Sequence, residues 1–386
     1  MPARSGNANG HGRGAHLALE TTEPTAFGHG FISGLASALL GITALGLVLA
    51  GRFPQAFGFA ELRPLRAFPY LQAVIHVLLV SSFVLGTVSA WLRRNKVLSL
   101  TGIAFTLVAA MLGGSQAAVG HDDGRSAWLG ADFVVLNLIL YSAALVPMER
   151  LFALRPEQPV FRRGWPVDLT YFCLNSLLIE VLTLLTIAPV AVLFDWARIG
   201  AVQETIGALP LVAQVPVLLL VADFTQYWVH RSFHASRWLW PFHAIHHSIE
   251  QMDWLAGSRL HLVDVIATRG LTYIPIFVLG FSQPALMVYV FIVAVQATFI
   301  HANVRWTFPR LRRIVATPAF HHWHHSAEPQ SVDKNFAVHT PAWDLLFGTY
   351  YLPDRWPSAY GLVHHRDVPP RWGSQFVYPF RHRAPR

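Results

Sequence analysis

The sequence predicts an all-α, multi-pass integral membrane protein of six to eight helices, and three observations support that fold class. Hydrophobic residues make up 53% and charged residues 13% of the 386 residues, and the mean hydropathy is +0.40. Several apolar runs reach the roughly 20 residues that a helix needs to cross a bilayer. Of the 20 histidines, 12 lie between residues 230 and 339. The first two observations exclude an ordinary soluble domain, and the third places the chemistry in the second half.

Six stretches combine that length with few or no charged residues, and we expect each to span the membrane: 29–51, 70–92, 97–119, 128–147, 170–195 and 205–229. A further apolar run, residues 271–300, is too long for one simple span. Gly280 and Pro284 interrupt it, which predicts two helices hinged at the segment GFSQP. The sequence leaves open whether both of these helices cross the bilayer.

The same pattern divides the chain into five segments. Residues 1–28 are polar and glycine-rich, so we expect a disordered N-terminus without a cleavable signal peptide. Residues 29–150 hold four predicted spans, and residues 151–169 form a linker rich in proline and arginine. Residues 170–352 hold the remaining spans and nearly all of the clustered histidines, and residues 353–386 form a basic C-terminal tail.

The basic character of the chain is interpreted as that of a membrane protein and not of a nucleic-acid-binding protein. The formal net charge is +8, but Lys and Arg concentrate in loops such as residues 93–96 and 150–163, as the positive-inside bias requires. The loops near 120–127 and 196–204 carry one arginine each. If the first helix starts inside, six spans return the chain to the cytoplasmic side just before the histidines. We therefore predict a cytoplasmic metal site and no nucleic-acid partner.

Three histidine boxes follow one another in the second half. They are HxxxH (His230 and His234), HxxHH (His243, His246 and His247) and a second HxxHH (His321, His324 and His325). On a helix, each spacing places the histidines of a box on one face. Together the boxes supply eight imidazoles, more than the four ligands of tetrahedral zinc or the six of an octahedral ion. Two metal ions are therefore predicted, and His322, which lies off the spacing, is left out.

Other residues near the boxes extend the predicted site. Two six-coordinate ions with open positions need one or two more ligands, for which His261 and His301 are the candidates and His339 ranks lower. Asn303 is a weaker candidate for holding a metal-bound water. The nearby carboxylates are expected to fix imidazole tautomers: Asp253, Asp264, Asp333 and Asp344. No Glu-x-x-His pair lies near the cluster, which excludes a carboxylate-bridged di-iron bundle; imidazole alone does not distinguish iron, zinc, copper and nickel.

Two segments carry a family resemblance: DFTQYWVHRSFHASRWLWPFHAIHHSIEQMDW and PAFHHWHHSAEPQSVDKNFAVHTPAWDLLFGTYY. Through them, the chain over about 215–352 resembles the fatty acid hydroxylase/sterol desaturase family of integral-membrane di-iron oxygenases. The resemblance implies an all-helical catalytic domain with a cytosolic histidine-lined site, two iron ions, and dioxygen as co-substrate. It makes the eight box histidines the ligands. His261 falls where relatives often carry a histidine, although Leu262 follows it here in place of proline.

The implied function is O2-dependent hydroxylation or desaturation of a lipid that enters from the bilayer. Each turnover needs two electrons, and the sequence shows neither a dinucleotide-binding motif nor, with one cysteine, the ligands of an iron–sulphur cluster. A separate ferredoxin or cytochrome is therefore expected to dock on a basic cytosolic face: Arg305, Arg310, Arg312 and Arg313. Two alternatives remain at this stage, a zinc-dependent membrane hydrolase or isomerase and a histidine-rich metal transporter. The substrate, the choice among hydroxylation, desaturation and ether cleavage, and the role of the first four spans are not readable from the sequence.

Overall fold

The structure is a computed structural model that describes residues 28–53, 70–116, 131–363 and 368–381. These residues form helices joined by turns, with no β-strand among them, which confirms the all-α prediction. The chain divides into two compact units, residues 1–128 and residues 129–386. The predicted disordered N-terminus, residues 1–28, lies outside the described residues except for Gly28.

The first unit contains three described helices: α1 (Phe31–Arg52), α2 (Leu71–Leu92) and α3 (Val97–Met111). Small residues line their contacts. The hydroxyl of Ser37 donates to the Ser82 carbonyl at 2.7 Å, and the hydroxyl of Ser82 donates back to the Ser37 carbonyl at 2.7 Å. A methyl group on Gly102 would overlap Ser37. Close backbone approach through small residues is the usual way in which helices associate in a bilayer, where the hydrophobic effect between helices is weak.

The second unit contains eleven described helices: α4 (Ala131–Leu151), α5 (Trp165–Leu177), α6 (Ile179–Phe194), α7 (Gly200–Ala208), α8 (Leu211–Ala235), α9 (Trp240–His247), α10 (Leu262–Leu279), α11 (Gln283–Phe299), α12 (Pro318–His324), α13 (Ala342–Phe347) and α14 (Trp372–Arg381). An apolar cluster of this unit lies between α8, α10 and α11, where Leu218, Ile276 and Ala285 are buried together.

Five helical segments in the described residues are long and apolar enough to cross a membrane: Phe31–Arg52, Leu71–Leu92, Val97–Gln116, Leu211–Ala235 and Leu262–Leu279. The predicted span at 170–195 falls on two helical pieces, Trp165–Leu177 and Leu182–Ala197, which are bent by 49° and together are long and apolar enough for a sixth, broken span or a re-entrant loop. The span predicted at 205–229 begins later, because Pro210 has an extended backbone and separates the short α7 from α8. The hinge predicted within 271–300 is confirmed at Gly280, whose positive φ of 73° ends α10.

Two segments pack with other parts of the structure than the sequence pattern predicted. Helix α4 was grouped with the N-terminal spans, but it belongs to the second unit. There Val134 and Leu145 join a buried cluster with Phe172 and Trp254. The segment read as a C-terminal tail, 353–386, contains α14, in which Tyr378 packs with two residues of the second unit: Tyr171 and Ile245. In both cases distant apolar partners decide the packing, and local composition does not reveal them.

A buried ion-pair network fastens the linker to the loop that follows the second histidine box. Arg162 lies 2.6 Å from Asp253 and 2.7 Å from Asp168, and Arg259 also pairs with Asp168. All four side chains are buried. Charges removed from water require this kind of mutual pairing, because an unpaired buried charge is strongly destabilising. The network therefore fixes the segment that carries Arg259, whose carbonyl is used at the metal site.

Candidate metal centre

Three helices and one loop bring the predicted histidines together. Helix α8 carries the first box in its last two turns, α9 carries the second box, and α12 with its C-cap carries the third. His301 follows α11. Helix α12 begins at a Thr317 side chain that accepts the Phe320 N–H, with Pro318 in its first turn, a usual N-terminal arrangement. The end of the long helix α8 and the short helices α9 and α12 thus hold the rings in fixed directions.

The histidines form two groups, each with its ligand nitrogens within 4.8 Å of one another. The five-histidine group contains His230, His234, His243, His247 and His324. The four-histidine group contains His246, His301, His321 and His325. The structure therefore brings together nine of the ten predicted ligands, including His301, in two adjacent groups.

Each HxxHH box contributes to both groups. Successive residues on an α-helix point about 100° apart, so His246 and His247 face different groups. The same holds for His324 in the five-histidine group and His325 in the four-histidine group. The adjacent pair of histidines that ends each box thus allows one short helix to contribute imidazoles to both groups.

His261 does not join either group, so its prediction as a ligand is not supported. Its side chain caps α10 by accepting the Val263 N–H at 3.1 Å. Its other ring nitrogen donates to the Phe376 carbonyl at 3.1 Å. Because both ring nitrogens have protein partners, neither is available to a metal.

Three other residues considered from the sequence also lie outside the groups. His339 donates through Nδ1 to Gln296 at 2.9 Å. His322 bonds the Tyr360 hydroxyl at 2.9 Å and the Ala302 carbonyl at 3.1 Å. Asn303 pairs through its amide with the backbone of Arg155, accepting its N–H at 2.9 Å and donating to its carbonyl at 3.0 Å. The exclusion of His322 therefore agrees with the structure. Asn303 bonds to the backbone of Arg155 and does not lie in the position expected for holding a metal-bound water.

Six ligand histidines donate a proton outward from Nδ1. The acceptors are the carbonyls of Phe336 (His230, 2.7 Å), Arg259 (His246, 3.2 Å), Ala297 (His301, 2.7 Å) and Lys334 (His324, 2.8 Å), and the carboxylates of Asp333 (His234, 3.2 Å) and Asp264 (His243, 2.7 Å). A carbonyl or carboxylate only accepts, so Nδ1 carries the proton and the inward Nε2 is a bare lone pair. This is the usual outer contact of a metal-binding histidine.

The inward lone pairs approach one another. His230 Nε2 lies 2.9 Å from His243 Nε2, and His246 Nε2 lies 3.4 Å from His301 Nε2. Two bare lone pairs cannot hydrogen-bond. Their separation of about 3 Å is the one expected for neighbouring ligands whose metal–nitrogen bonds are about 2.1 Å. His324 Nε2 is likewise buried with no hydrogen-bond partner. The nitrogens therefore fit a cation in each group.

The carboxylates predicted to fix tautomers divide into two pairs. Asp264 and Asp333 accept from His243 and His234, as predicted. Asp253 instead pairs with Arg162. Asp344 accepts hydrogen bonds from the backbone N–H groups of Phe336 and Ala337, both at 2.8 Å. It therefore orients the loop in which the Phe336 carbonyl accepts the hydrogen bond from His230.

Burial keeps these rings in the neutral form. It lowers the pKa well below the ordinary imidazole value, helped by neighbouring histidines, for the following residues: His246, His247, His321, His324 and His325. Burial also lowers the pKa of His301 to about 4. A neutral imidazole is the form that binds metal, so no proton has to be displaced at pH 7.

Sequence reasoning missed the backbone partners of the ligands. The carbonyls of Phe336, Lys334, Arg259 and Ala297 carry no side-chain signal, because any residue supplies a carbonyl. Only the Asp–His pairs were detectable in advance, from the presence of carboxylates near the boxes. Arg162 and Asp168, which fasten the Arg259 segment, also gave no local pattern.

Comparisons with known proteins match this region of the chain. Residues 215–349 match the family model described as fatty acid hydroxylase. The chain is 32% identical over 171 residues to an ornithine lipid hydroxylase of Rhizobium tropici, and the aligned residues cover 44% of this chain and 51% of that protein. It is 30% identical over 146 residues to an alkylglycerol monooxygenase of Homo sapiens, covering 38% of this chain and 32% of that protein.

The name of a third relative describes an enzyme that acts on a sterol. Methylsterol monooxygenase 1-2 of Arabidopsis thaliana is 29% identical over 149 residues, which cover 37% of this chain and 48% of that protein. No solved structure was found to match the chain. The chain spans about half or less of the length of these relatives. Both histidine groups lie within residues 215–349, the part of the chain that matches the fatty acid hydroxylase family model.

Proposed function

We propose that this protein is a membrane oxygenase that uses dioxygen and two iron ions to hydroxylate or desaturate a lipid. One observation carries the proposal: nine imidazoles form two adjacent groups, and in each group one pair of bare Nε2 lone pairs, His230 with His243 and His246 with His301, face each other without a proton between them. The names of the relatives, which are lipid hydroxylases and monooxygenases, support oxidation of a lipid.

The two groups would each hold one iron ion. Iron bound there would supply the activation of dioxygen for attack on an alkyl C–H bond. Imidazole ligands in these numbers also leave room for further ligands, because an octahedral ion takes six. The five-histidine group exceeds the four positions of tetrahedral zinc.

The protein itself orients the ligands and excludes water. The outward hydrogen bonds fix each ring, so that little reorganisation accompanies metal binding. Phe320 and Trp323 are fully buried and Phe336 is 1% exposed, and they pack behind the third box and the first. A buried apolar surface of this kind keeps water away from a reactive oxidant.

The substrate would enter from the bilayer. The first box lies in the last two turns of α8, a candidate membrane span, so the site lies at the end of a span where a lipid is accessible. We place this end of α8 on the cytoplasmic side because Lys and Arg are concentrated in the loops predicted to lie there.

An external electron donor of ferredoxin or cytochrome type completes the proposal. The expected docking face carries four arginines and no acidic residue between residues 305 and 315. Arg305, Arg310 and Arg313 are exposed, and Arg312 pairs with Asp354 at 2.9 Å. Positive surface charge steers an acidic redox protein to such a face.

A zinc-dependent hydrolase or isomerase is the second candidate function. The four-histidine group has the ligand number of tetrahedral zinc. This candidate needs neither dioxygen nor an electron donor, which separates it from the oxygenase. The transporter alternative has less support, because the histidines lie at the end of α8 and not at its middle, where transport sites concentrate.

Metal analysis of the detergent-purified full chain tests the proposal. We expect close to two irons per chain with coupled Mössbauer spectra, lost in the His324→Ala, His325→Ala double variant, which removes one ligand from each group. His76→Ala is the matched control, because His76 is an exposed residue of α2 outside both groups. Zinc that iron supplementation does not replace would favour the hydrolase, and a folded protein without stoichiometric metal would contradict both candidates.

A further inference from the structure

A pocket of about 280 Å³ lies beside the third histidine box, between the loop that follows His301 and the segment that follows α13. We call it the third-box pocket, and its lining includes Thr307, Arg312, Ala319, Asp354, Arg355 and Trp356. Ala319 lies on α12, two residues before the ligand histidine His321. The helix that carries the third box therefore forms one wall of the pocket.

Trp323 lies next to this pocket and is fully buried. It follows Ala319 by four residues, so the two side chains lie on the same side of α12. The Arg355 guanidinium lies over the Trp323 ring at 4.7 Å, and Trp323 Nε1–H donates to the Arg355 carbonyl at 3.0 Å. Because Arg355 also lines the pocket, one residue contacts both the pocket and the indole.

The indole is connected to both histidine groups. A peptide bond joins Trp323 to His324 of the five-histidine group, and on its other side His322 is bonded to His321 of the four-histidine group. The ring of Trp356, a second pocket residue, lies 5.3 Å from the His322 ring. Electrons pass more readily along covalent bonds and hydrogen bonds than across gaps, because gaps weaken the electronic coupling. The third box thus provides a continuous path from the pocket to the metal ligands.

The surface around the pocket carries excess positive charge. Two ion pairs at the pocket balance in charge: Arg312 with Asp354 at 2.9 Å, and Arg355 with Glu328 at 2.9 Å. Arg310 and Arg313 are exposed beside them and add two positive charges. Leu311 and Ile314 in the same loop are 46% and 62% exposed. Basic side chains around exposed apolar ones fit a protein partner whose surface is acidic.

We propose that an acidic, one-electron redox protein docks on the third-box pocket and that Trp323 carries its electrons to the two histidine groups. The proposal rests on the proposed oxygenase and names where its electron donor binds. Each docked donor is oxidised by one electron, and one ferric ion is reduced to the ferrous state. Two such events supply the two electrons of a turnover, and neither a proton nor a group is transferred through Trp323.

Binding to the metal-free full chain tests the docking. The acidic probes are a plant-type [2Fe–2S] ferredoxin and the soluble haem domain of cytochrome b5, and the basic control is cytochrome c. We expect at least one acidic probe to bind more tightly than cytochrome c, with an affinity that falls as salt is added. If neither acidic probe does so, the docking proposal is wrong. Binding in detergent that disappears in phosphatidylcholine nanodiscs would assign this surface to the membrane and would also overturn it.

Two double variants of equal net charge locate the docking. Arg310→Gln, Arg313→Gln should weaken binding of the acidic probe about fivefold, the effect of two exposed ion pairs. Arg163→Gln, Arg237→Gln is the matched control, because both of these arginines are exposed and neither lines the pocket. An equal loss of affinity in the two double variants would indicate attraction to the basic chain as a whole and would overturn the pocket as the docking site.

Reduction kinetics of the iron-loaded chain test the role of Trp323. When the reduced acidic probe is mixed with the ferric protein, we expect Trp323→Leu to lose most of the limiting rate of reduction while the affinity for the probe stays unchanged. Dithionite, a small reductant that needs no docking, should reduce both proteins alike. Trp343→Leu is the matched control, since Trp343 packs on Phe347 in α13 and does not line the pocket. An unchanged limiting rate in Trp323→Leu would overturn the path.

A milder variant keeps the test decisive if Trp323→Leu does not fold or loses iron. Trp323→Phe retains a buried aromatic ring and removes the N–H that donates to the Arg355 carbonyl. We expect it to hold iron and to show a smaller loss of the limiting rate, again without a change in affinity. A limiting rate equal to that of the unsubstituted protein would show that the indole hydrogen bond carries no electrons, and the path would be wrong.

The outcomes separate this proposal from the proposed function. Docking that Arg310→Gln, Arg313→Gln weakens, in a protein that proves to hold no iron, would support the docking surface while contradicting the oxygenase. Iron together with lipid oxidation driven by a small reductant, but without binding of either acidic probe, would overturn the docking proposal and leave the oxygenase intact.

Discussion

The two units of the chain bury different polar groups between similar apolar helices. Among the described residues of the first unit, buried hydroxyls bond to backbone carbonyls and to one another, as between Ser37 and Ser82 and between Thr106 and Ser82. In the second unit the buried polar groups include ion pairs and imidazoles, as around Arg162 and in the histidine groups. Small hydroxyl side chains form hydrogen bonds with the backbone of the neighbouring helix and permit close packing. Charges and lone pairs need partners from distant segments, so the second unit requires a more specific fold.

The largest effect is expected from breaking the buried ion-pair network. Arg162→Met should lower the free energy of unfolding by about 3–5 kcal/mol, because it leaves Asp168 and Asp253 buried without their shared cation. Thermal or chemical denaturation in detergent measures this change. Arg198→Met is the control, since Arg198 pairs with Asp195 at the surface and should change stability by less than about 1 kcal/mol. Equal effects of the two substitutions would contradict the difference drawn between buried and exposed pairs.

The histidine groups should make the metal-free protein sensitive to acid. Burial lowers the pKa of His301 to about 4, so between about pH 4 and pH 6.5 the unfolded chain binds a proton that the folded chain does not. Stability therefore falls as the pH is lowered through this window, by about 3 kcal/mol from this residue alone. Denaturation of chelator-treated protein at several pH values measures the slope. His301→Gln should flatten the slope, and an unchanged slope would show that His301 already shares its proton with another group.

A smaller effect is expected from an outer partner of the metal ligands. Asp264→Asn removes the carboxylate that accepts from His243 Nδ1 at 2.7 Å, and should weaken metal binding by about 10- to 100-fold without unfolding the protein. Competition with a chelator of known affinity gives the change. Asp195→Asn alters an exposed carboxylate and should leave metal affinity unchanged. If both variants bind metal like the unsubstituted protein, the outward hydrogen bond is not needed to orient His243.

The smallest effect is expected in the first unit. Ser82→Ala removes the reciprocal hydroxyl contact with Ser37 and should lower stability by about 0.5–1.5 kcal/mol, the range for hydrogen bonds between membrane helices. Metal content should not change, because the metal groups lie entirely in the second unit. Melting temperature and iron analysis of the same sample give both values. Loss of iron in this variant would indicate that the first unit supports the metal site.

The sequence predicted most of the ligands because their pattern is local. The i, i+3 and i+4 spacings of His243, His246 and His247 place the rings on one side of a short helix whatever the rest of the fold. The count of imidazoles then predicted two ions. Spans were predicted for the same reason, since length and apolarity belong to a single segment.

Single residues were predicted less well, because nothing local distinguishes them. His261 and His301 are both isolated histidines, yet His301 joins the four-histidine group while His261 caps α10. The difference arises from packing, which brings the end of α11 to the second and third boxes and turns His261 toward α14.

The sequence by itself determined the all-α membrane class and the three boxes, and it predicted two ions, because periodicity, apolarity and ligand number are properties of short segments. Only the tertiary structure decided the division of each box between two groups, the carbonyl partners of the rings, the inclusion of His301 and the assignment of α4 to the second unit. Several of these depend on segments that are distant in the sequence, as His301 is 55 residues from His246 and Phe336 is 106 residues from His230. Their meeting is set by packing and by the pairing of buried charges.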